Sequence, residues 1–489
     1  MTFQNAHRMF AVLVLTAGLF GAPAAQPAES AAARPNVLFL AIDDLNHWVG
    51  YLGRNAQTKT PNIDRLAARG VWFTRSYCAA PACNPSRAAL LSGLRPGASG
   101  VYDNQDTFTL AIPPEITLPT AFRKAGYYVC GAGKIYHGSA YRPEEWDDYL
   151  GKLDRRSEDR GPPASAGKLD ITPLGCPDEA MPDYAFVRYG IKQFNTRRDR
   201  PLFVAVGLVK PHLPWSVPKK YYDLHPLETI ELPPYYEDDL NDIPSAGLRM
   251  ANAQGDHAAI VREGVDSWRR AVQAYLASIS FCDAMVGRLL DGLDKSPCAG
   301  NTIICFWSDH GWHLGEKHHW RKFALWEEAT RAPLIMVVPG LTQANSRCDR
   351  TVDFMSIYPT LTDLCNIPTP AHVQGRSLRP LLVDPKAPWA EPALTTYRYM
   401  NHAVRSEQWR YIRYADGGEE LYDESKDPYE WSNLASLADA ATQKAELARW
   451  LPKQNQPAVV APAPRKDAPA AKRSGGAKVK ASRRAKETR

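Results

Sequence analysis

Three carboxylates, one cysteine and a handful of histidines and lysines carry the chemistry legible in this sequence. Asp43 and Asp44 end the apolar run Asn36–Asp44, and a third acid follows the run Ile303–Trp307 in Ser308-Asp309-His310-Gly311. Acids at strand ends repel one another unless a cation holds them, and oxygen donors select a hard ion, Ca2+ or Mg2+. Any one of these acids alone would read as a helix cap or a loop residue. Cys83 opens the string Cys83-Asn-Pro-Ser-Arg87, continuing Ala-Ala-Leu-Leu-Ser-Gly93. Pro and Ser ahead of small and apolar residues suit a first helical turn. Cys83 then sits where unpaired backbone N–H groups and the helix dipole favour an anion. Taken alone, it is a half-buried cysteine at a helix start. Gly133-Lys134-Ile-Tyr-His137 and Lys210-Pro-His212-Leu-Pro214 add bases and cations, and the prolines are expected to hold the second segment extended. Gly315 to Lys322 adds a cationic loop after the third acid. Each of these segments follows a predicted core strand, where the wall of an active site is built.

Such residues need a scaffold to converge. The unbroken run Asn36–Asp44 reads as a strand buried on both faces, which points to a parallel or mixed α/β sheet. Ligands of open α/β sheets gather at the carboxyl ends of strands. Further core strands are expected at Tyr127–Gly131, Leu202–Leu208, Thr302–Trp307 and Leu334–Val338. Amphipathic helices lie between them, the clearest from Trp268 to Leu293, with Val272, Leu276, Ile279, Val286 and Leu290 at helical spacing. Ser139–Pro182 and Glu228–Asp266 read as long surface excursions that shape substrate access or carry no regular structure. After Gln374 the short segments Ala393–Tyr397 and Trp409–Tyr414 predict a small antiparallel sheet, and Ala438–Trp450 a terminal helix.

A chain of 489 residues with 44% apolar composition can bury a large core. Residues 1–25 have the shape of a secretory signal: His7 and Arg8, the apolar run Met9–Phe20, then small residues at Ala22, Ala24 and Ala25. An exported protein, periplasmic or secreted, is expected, and no later segment is apolar for long enough to cross a membrane. Residues 453–489 carry eleven Lys and Arg against two acids, whereas the whole chain carries only +6. This tail should be disordered, since its composition cannot offset its ordering entropy. Weak attraction to a polyanion and a partnerless solvated extension are both open for it; no nucleic-acid partner is expected. The nine cysteines are an odd number, and no C-x-x-C occurs, which excludes a zinc ribbon and a thioredoxin motif.

Cys83-Asn-Pro-Ser-Arg87 matches the C-x-P-S-R string, followed by a short helix and Ser-Gly, that sulfatases carry around their catalytic residue. From Pro35 to about Leu434 the chain resembles the iduronate-2-sulfatase branch of that family. Most sulfatases have Asn after the third metal-binding Asp; His310 here, with Lys210-Pro-His212 and Trp312, is similar to the iduronate branch. The resemblance implies an alkaline-phosphatase-like fold, a large mixed sheet between helices over residues 35–374, with a smaller antiparallel sheet over 375–452. It implies that a formylglycine-generating enzyme oxidises Cys83 to Cα-formylglycine (3-oxoalanine), whose hydrate is the nucleophile. It further implies that Asp43, Asp44, residue 83, Asp309 and His310 surround Ca2+, with Mg2+ the lesser choice. Lys134, Lys322 and Arg87 are then the positive partners of the sulfate oxygens, and Lys134, His212, Trp312 and Lys322 bind substrate. His212 is the acid for the leaving oxygen, and His137 takes the remaining diol proton. Trp312 and His313 line the sugar subsite. The expected reaction removes sulfate, at the 2-O position of uronate residues, from a sulfated polysaccharide or oligosaccharide. Phosphoester or phosphonate hydrolysis on the same fold is one alternative. A silent sulfated-glycan-binding protein, with Cys83 left as a thiol, is another.

Overall fold

In the computed structural model, which describes residues 34–138, 141–151, 153 and 163–459, Asn36–Asp43 forms the central strand β1. Its even-numbered side chains Leu38, Leu40 and Ile42 enter one hydrophobic core, and Val37, Phe39 and Ala41 enter another. Burial on both faces is why the run shows no polar alternation. Seven more strands complete the sheet: β2 (Val71–Tyr77), β3 (Tyr128–Gly133), β4 (Asp148–Leu150), β5 (Leu202–Pro211), β6 (Thr302–Ser308), β7 (Leu334–Val337) and β8 (Ser346–Asp353). Their order is β8-β2-β7-β6-β1-β5-β3-β4. Every neighbouring pair is parallel except those made by β7, which runs antiparallel to both β6 and β2.

Helices α1 (Pro61–Ala67), α3 (Pro182–Asn195) and α4 (Val265–Asp294) pack on one face; α2 (Cys83–Ser92) and α5 (Ile357–Leu364) pack on the other. The 30-residue α4 contains the expected helix and buries Val272, Leu276, Ile279, Val286 and Leu290 completely. Each such side chain contributes about 1.5–3 kcal/mol. A second sheet, β9 (Ala393–Thr396), β10 (His402–Arg405), β11 (Trp409–Arg413) and β12 (Glu419–Asp423), is an antiparallel meander covered by α6 (Ala441–Ala448). It docks on the main sheet through Thr396 N–H to the Ala79 carbonyl and Thr395 Oγ1 to the Cys78 carbonyl.

Several expectations need correction. Strands β2, β4 and β8 were not expected; β4 lies within the excursion 139–182, and β8 is an edge strand made from the mostly polar run Ser346–Asp353. The excursion 228–266 holds two short helices, Ser245–Asn252 and Asp256–Glu263, with Met250, Ala251 and Ile260 buried. Eight-residue helices draw their stability from packing rather than propensity, so the sequence signal is weak. Residues 453–459 of the tail are held in place: Gln456 and Val459 donate to the carbonyls of Gly97 and Gly100, and Tyr102 donates to the Gln456 carbonyl. The rest of the tail and the expected signal segment lie outside the described residues. Cys78, Cys83, Cys130, Cys282, Cys298, Cys305 and Cys348 are free thiols.

Candidate active site

Strands β6, β1, β5 and β3 are adjacent and parallel, so their carboxyl ends lie side by side. Asp43 ends β1, Asp309 follows β6, His212 follows β5 and Lys134 follows β3. Two glycines permit the close approach of β3 and β5. A Cβ at Gly133 would lie 2.1 Å from the Gly207 carbonyl oxygen, and one at Gly207 would lie 2.2 Å from that of Lys134. In their absence Lys134 N–H donates to the Gly207 carbonyl at 2.9 Å.

Cys83 is the first residue of α2, as the string predicts, and Ser86 Oγ ties that first turn to the Asp309 carbonyl at 2.6 Å. One donor atom each from Asp43, Asp44, Cys83, Asp309 and His310 lies within 4.8 Å of the others, and all five residues are buried. Asp44 takes a left-handed φ of 63°, which a short polar side chain tolerates. Tyr275 of α4 holds this turn, donating to the Asp44 carbonyl at 2.8 Å and accepting from Asn46 N–H at 2.9 Å.

Cations interleave with the acids. Lys322 Nζ lies 2.7 and 3.0 Å from the two Asp44 oxygens and 3.2 Å from Cys83 Sγ. Lys134 Nζ pairs with Asp43. His310 Nε2 lies 3.3 Å from Asp44 and 3.4 Å from Cys83 Sγ. Burial raises the Cys83 thiol, but Lys134, Lys322, His310 and a hydrogen bond from His137 outweigh it and hold the thiol well below its ordinary range. Burial likewise opposes ionisation of Asp43, yet Lys134, His212 and Arg87 hold it below the usual carboxylate range. Burial would lower His310, but Asp309, Cys83 and Asp44 push it up to about 9.

One side of the cluster opens to a cavity of about 340 Å3 lined by Lys134, His137 and His212 and walled by Phe186, Val209 and Leu213. A larger cavity, about 430 Å3, lies at the opposite ends of the strands near Asn36 and Leu202, away from the acids. Lys210 and Pro211 still run extended at the end of β5, whereas the chain bends at 212–214 and His212 N–H donates to the Val209 carbonyl at 2.9 Å. His212 is 31% exposed, with Nε2 at 3.8 Å from Asp44. Its Nδ1 faces the Leu213 carbonyl.

Residues 35–367 match the sequence model of the sulfatase family, and residues 315–456 match that of the N-sulphoglucosamine sulphohydrolase C-terminal region. The chain belongs to the sulfatase family. A sulfatase of Formosa agariphila is 39% identical over 452 residues, covering 86% of this chain and 87% of the relative. Iduronate 2-sulfatase of Homo sapiens is 30% identical over 383 residues, covering 68% and 70%. A solved 2-O GAG sulfatase is 23% identical with a TM-score of 0.69, covering 84% of this chain and 90% of that one. The phosphonate monoester hydrolase of Agrobacterium radiobacter is 22% identical with a TM-score of 0.73, covering 85% and 94%. Those two structures share the fold with this sulfatase. Its activity is hydrolysis of sulfate esters.

Two expected roles change in this sulfatase. Arg87 is buried and fully engaged: Nε with Asp309 at 2.8 Å, Nη2 with Asp43 and the Ile42 carbonyl at 3.3 Å, and Nη1 with the carbonyls of Lys134 and Ile135. It orients the acids and has no N–H left for a sulfate oxygen. Trp312 is buried against Trp215 and Tyr275 with its face 5.3 Å from Lys322 Nζ, so it backs the lysine rather than lining a sugar subsite. His313 is equally buried, against His319 and Trp326. The sequence reading also passed over Asn84 and Tyr275. Asn84 had a signal, since it stands inside the Cys83–Arg87 string. It binds the 103–106 loop through the Asn104 side chain and the carbonyls of Asp103 and Asp106. Tyr275 had none beyond its place on the buried stripe of a helix.

Proposed function

We propose that this sulfatase, once exported and matured by a formylglycine-generating enzyme at Cys83, removes 2-O-sulfate from uronate residues of a sulfated polysaccharide or oligosaccharide. The observation that carries the reading is the convergence of five buried donors on one point, flanked by Lys134 and Lys322 and open on the side of His137 and His212. The Cys83 sulfur stands where a formylglycine hydrate would place its oxygens. With residue 83 in that form, the donors of Asp43, Asp44, Asp309 and His310 are mostly hard oxygens, a set that fits Ca2+. The chemistry a bound Ca2+ supplies is charge neutralisation beside the reacting oxygens.

The residues of the chain divide the remaining work. A sulfate monoester is an anion and repels a nucleophile, so Lys134 and Lys322, fixed by Asp43 and Asp44, hold its outer oxygens. Arg87 keeps Asp43 and Asp309 in register. His212, which lines the cavity with its Nε2 3.8 Å from Asp44, holds the proton that the departing sugar oxygen takes. His137, against residue 83, accepts the second hydroxyl proton of the diol, so that sulfate leaves and the aldehyde returns. Proton transfers of this kind contribute roughly 10²- to 10⁴-fold each.

His310 and Lys210-Pro-His212, together with the likeness to iduronate 2-sulfatase, support the uronate 2-O-sulfate. The test is sulfate release from uronate disaccharides sulfated at the 2-O position or elsewhere, with nitrophenyl phosphate beside them. Preferential release from the 2-O ester is expected. Equal release from all positions removes the regiospecificity, and faster phosphate than sulfate release overturns sulfate as the preferred ester.

A further inference from the structure

The hairpin joining β9 to β10 brings the second sheet against the segment that carries Lys322. Tyr397 packs against Phe323, the residue after Lys322, with ring centroids 6.1 Å apart. Phe323 N–H in turn donates to the Pro81 carbonyl just before α2, at 3.0 Å. On the other flank Arg398 Nε lies 3.6 Å from Asp103 Oδ2, and the Asp103 carbonyl accepts from Asn84, the residue after Cys83. The hairpin is thus tied to the immediate sequence neighbours of both Lys322 and Cys83.

Its tip is built against backbone preference. Arg398 and Met400 take φ of 56° and 62°, where glycine would be unstrained. Non-glycine residues held there point to a role for the side chains they display. Those side chains are open to solvent: Arg398 is 63% exposed, Tyr399 45% and Met400 43%. Asp103 faces the Nε edge of the Arg398 guanidinium, which orients the fork without covering its outer Nη groups. Tyr399 is steadied edge-on by Tyr102 at 5.8 Å. An arginine fork recognises planar and tetrahedral oxyanions, and a half-exposed tyrosine ring offers the flat apolar surface on which a sugar face settles.

We propose that Arg398 and Tyr399 form an outer subsite for the sugar next to the one that loses its sulfate. Arg398 takes an anionic group of that sugar, carboxylate or sulfate, and Tyr399 packs against its ring. This rests on the sulfated-glycan reading above and adds that the enzyme selects chains over isolated monosaccharides.

The test compares a sulfated, uronate-containing tetrasaccharide with nitrophenyl sulfate on the matured enzyme, for wild type, Arg398→Asn and Tyr399→Ala. Asparagine removes the charge while tolerating the left-handed backbone. For both variants kcat/KM on the tetrasaccharide should fall roughly tenfold more than on nitrophenyl sulfate, mainly through KM. Carboxyl-reduced and singly desulfated tetrasaccharides identify the anion: the substrate that lacks it abolishes the difference between wild type and Arg398→Asn. Equal losses on both substrates, or none on either, overturn the subsite alone. A wild-type enzyme that cleaves nitrophenyl sulfate and no tetrasaccharide overturns the glycan reading, and the subsite with it.

Discussion

Two buried ion networks in this molecule are built on opposite plans. In one, at the junction of the two sheets, Arg410 reaches Glu327, Glu424 and Glu430, and Arg405 reaches Glu327 and Glu424. Each carboxylate there faces a guanidinium, and the network is closed to solvent. In the other, at the carboxyl ends of β1 and β6, Asp43, Asp44 and Asp309 turn oxygens toward a common point with Cys83 and His310, while Arg87, Lys134 and Lys322 stand around them. That cluster opens to a cavity. The matched network holds one sheet on the other, whereas the convergent one is arranged for a cation and an anionic ester.

The two plans predict different responses to mutation. Cys83→Ala should bring sulfate-ester turnover to background while leaving the thermal midpoint unchanged or raised, because residue 83 serves chemistry rather than folding. A matching drop in thermal midpoint would show that this cluster also holds the fold. Arg410→Met should do the reverse, costing about 3–5 kcal/mol in urea unfolding because Glu430 loses its guanidinium while Glu327 and Glu424 each lose one of theirs. The fraction that stays folded should keep its kcat, and a loss of kcat at full folding would merge the two networks into one. A smaller effect belongs to Glu145, an incompletely matched acid that has Tyr136 and, at 3.6 Å, Arg142. Burial pushes it up to about 7, from an ordinary value of 4.5, against both partners. Its protonated form therefore stabilises the fold fully below about pH 4.5, and this contribution is lost as pH rises through about 7, at most about 3 kcal/mol. Glu145→Gln should flatten the fall in thermal midpoint between pH 5 and 8, and an unchanged slope would remove Glu145 as its source.

Much of the convergent cluster was legible because its residues stand beside strong signals. The apolar runs ending at Asp43 and Trp307 are strands buried on both faces, and the Cys83 string opens a helix as its Pro and Ser suggest. Single residues could not reveal orientation. Arg87 reads as a sulfate partner until its guanidinium is seen filled by two carboxylates and three carbonyls. Trp312 reads as a subsite wall until Trp215 and Tyr275 enclose it. The matched network was invisible, since Glu327, Arg405, Arg410 and Glu430 meet only through long-range packing. The helices within 228–266 and the strand Ser346–Asp353 were hidden for a related reason: tertiary contacts, not local pattern, keep them in place.

The most direct test of the central claim is the mass of the tryptic peptide containing Cys83, from protein made together with a formylglycine-generating enzyme and assayed for sulfate-ester cleavage. Conversion of the thiol to formylglycine lowers that mass by about 18 Da, and activity should rise in proportion to the converted fraction. An unmodified thiol in protein that cleaves sulfate esters at full rate would contradict it.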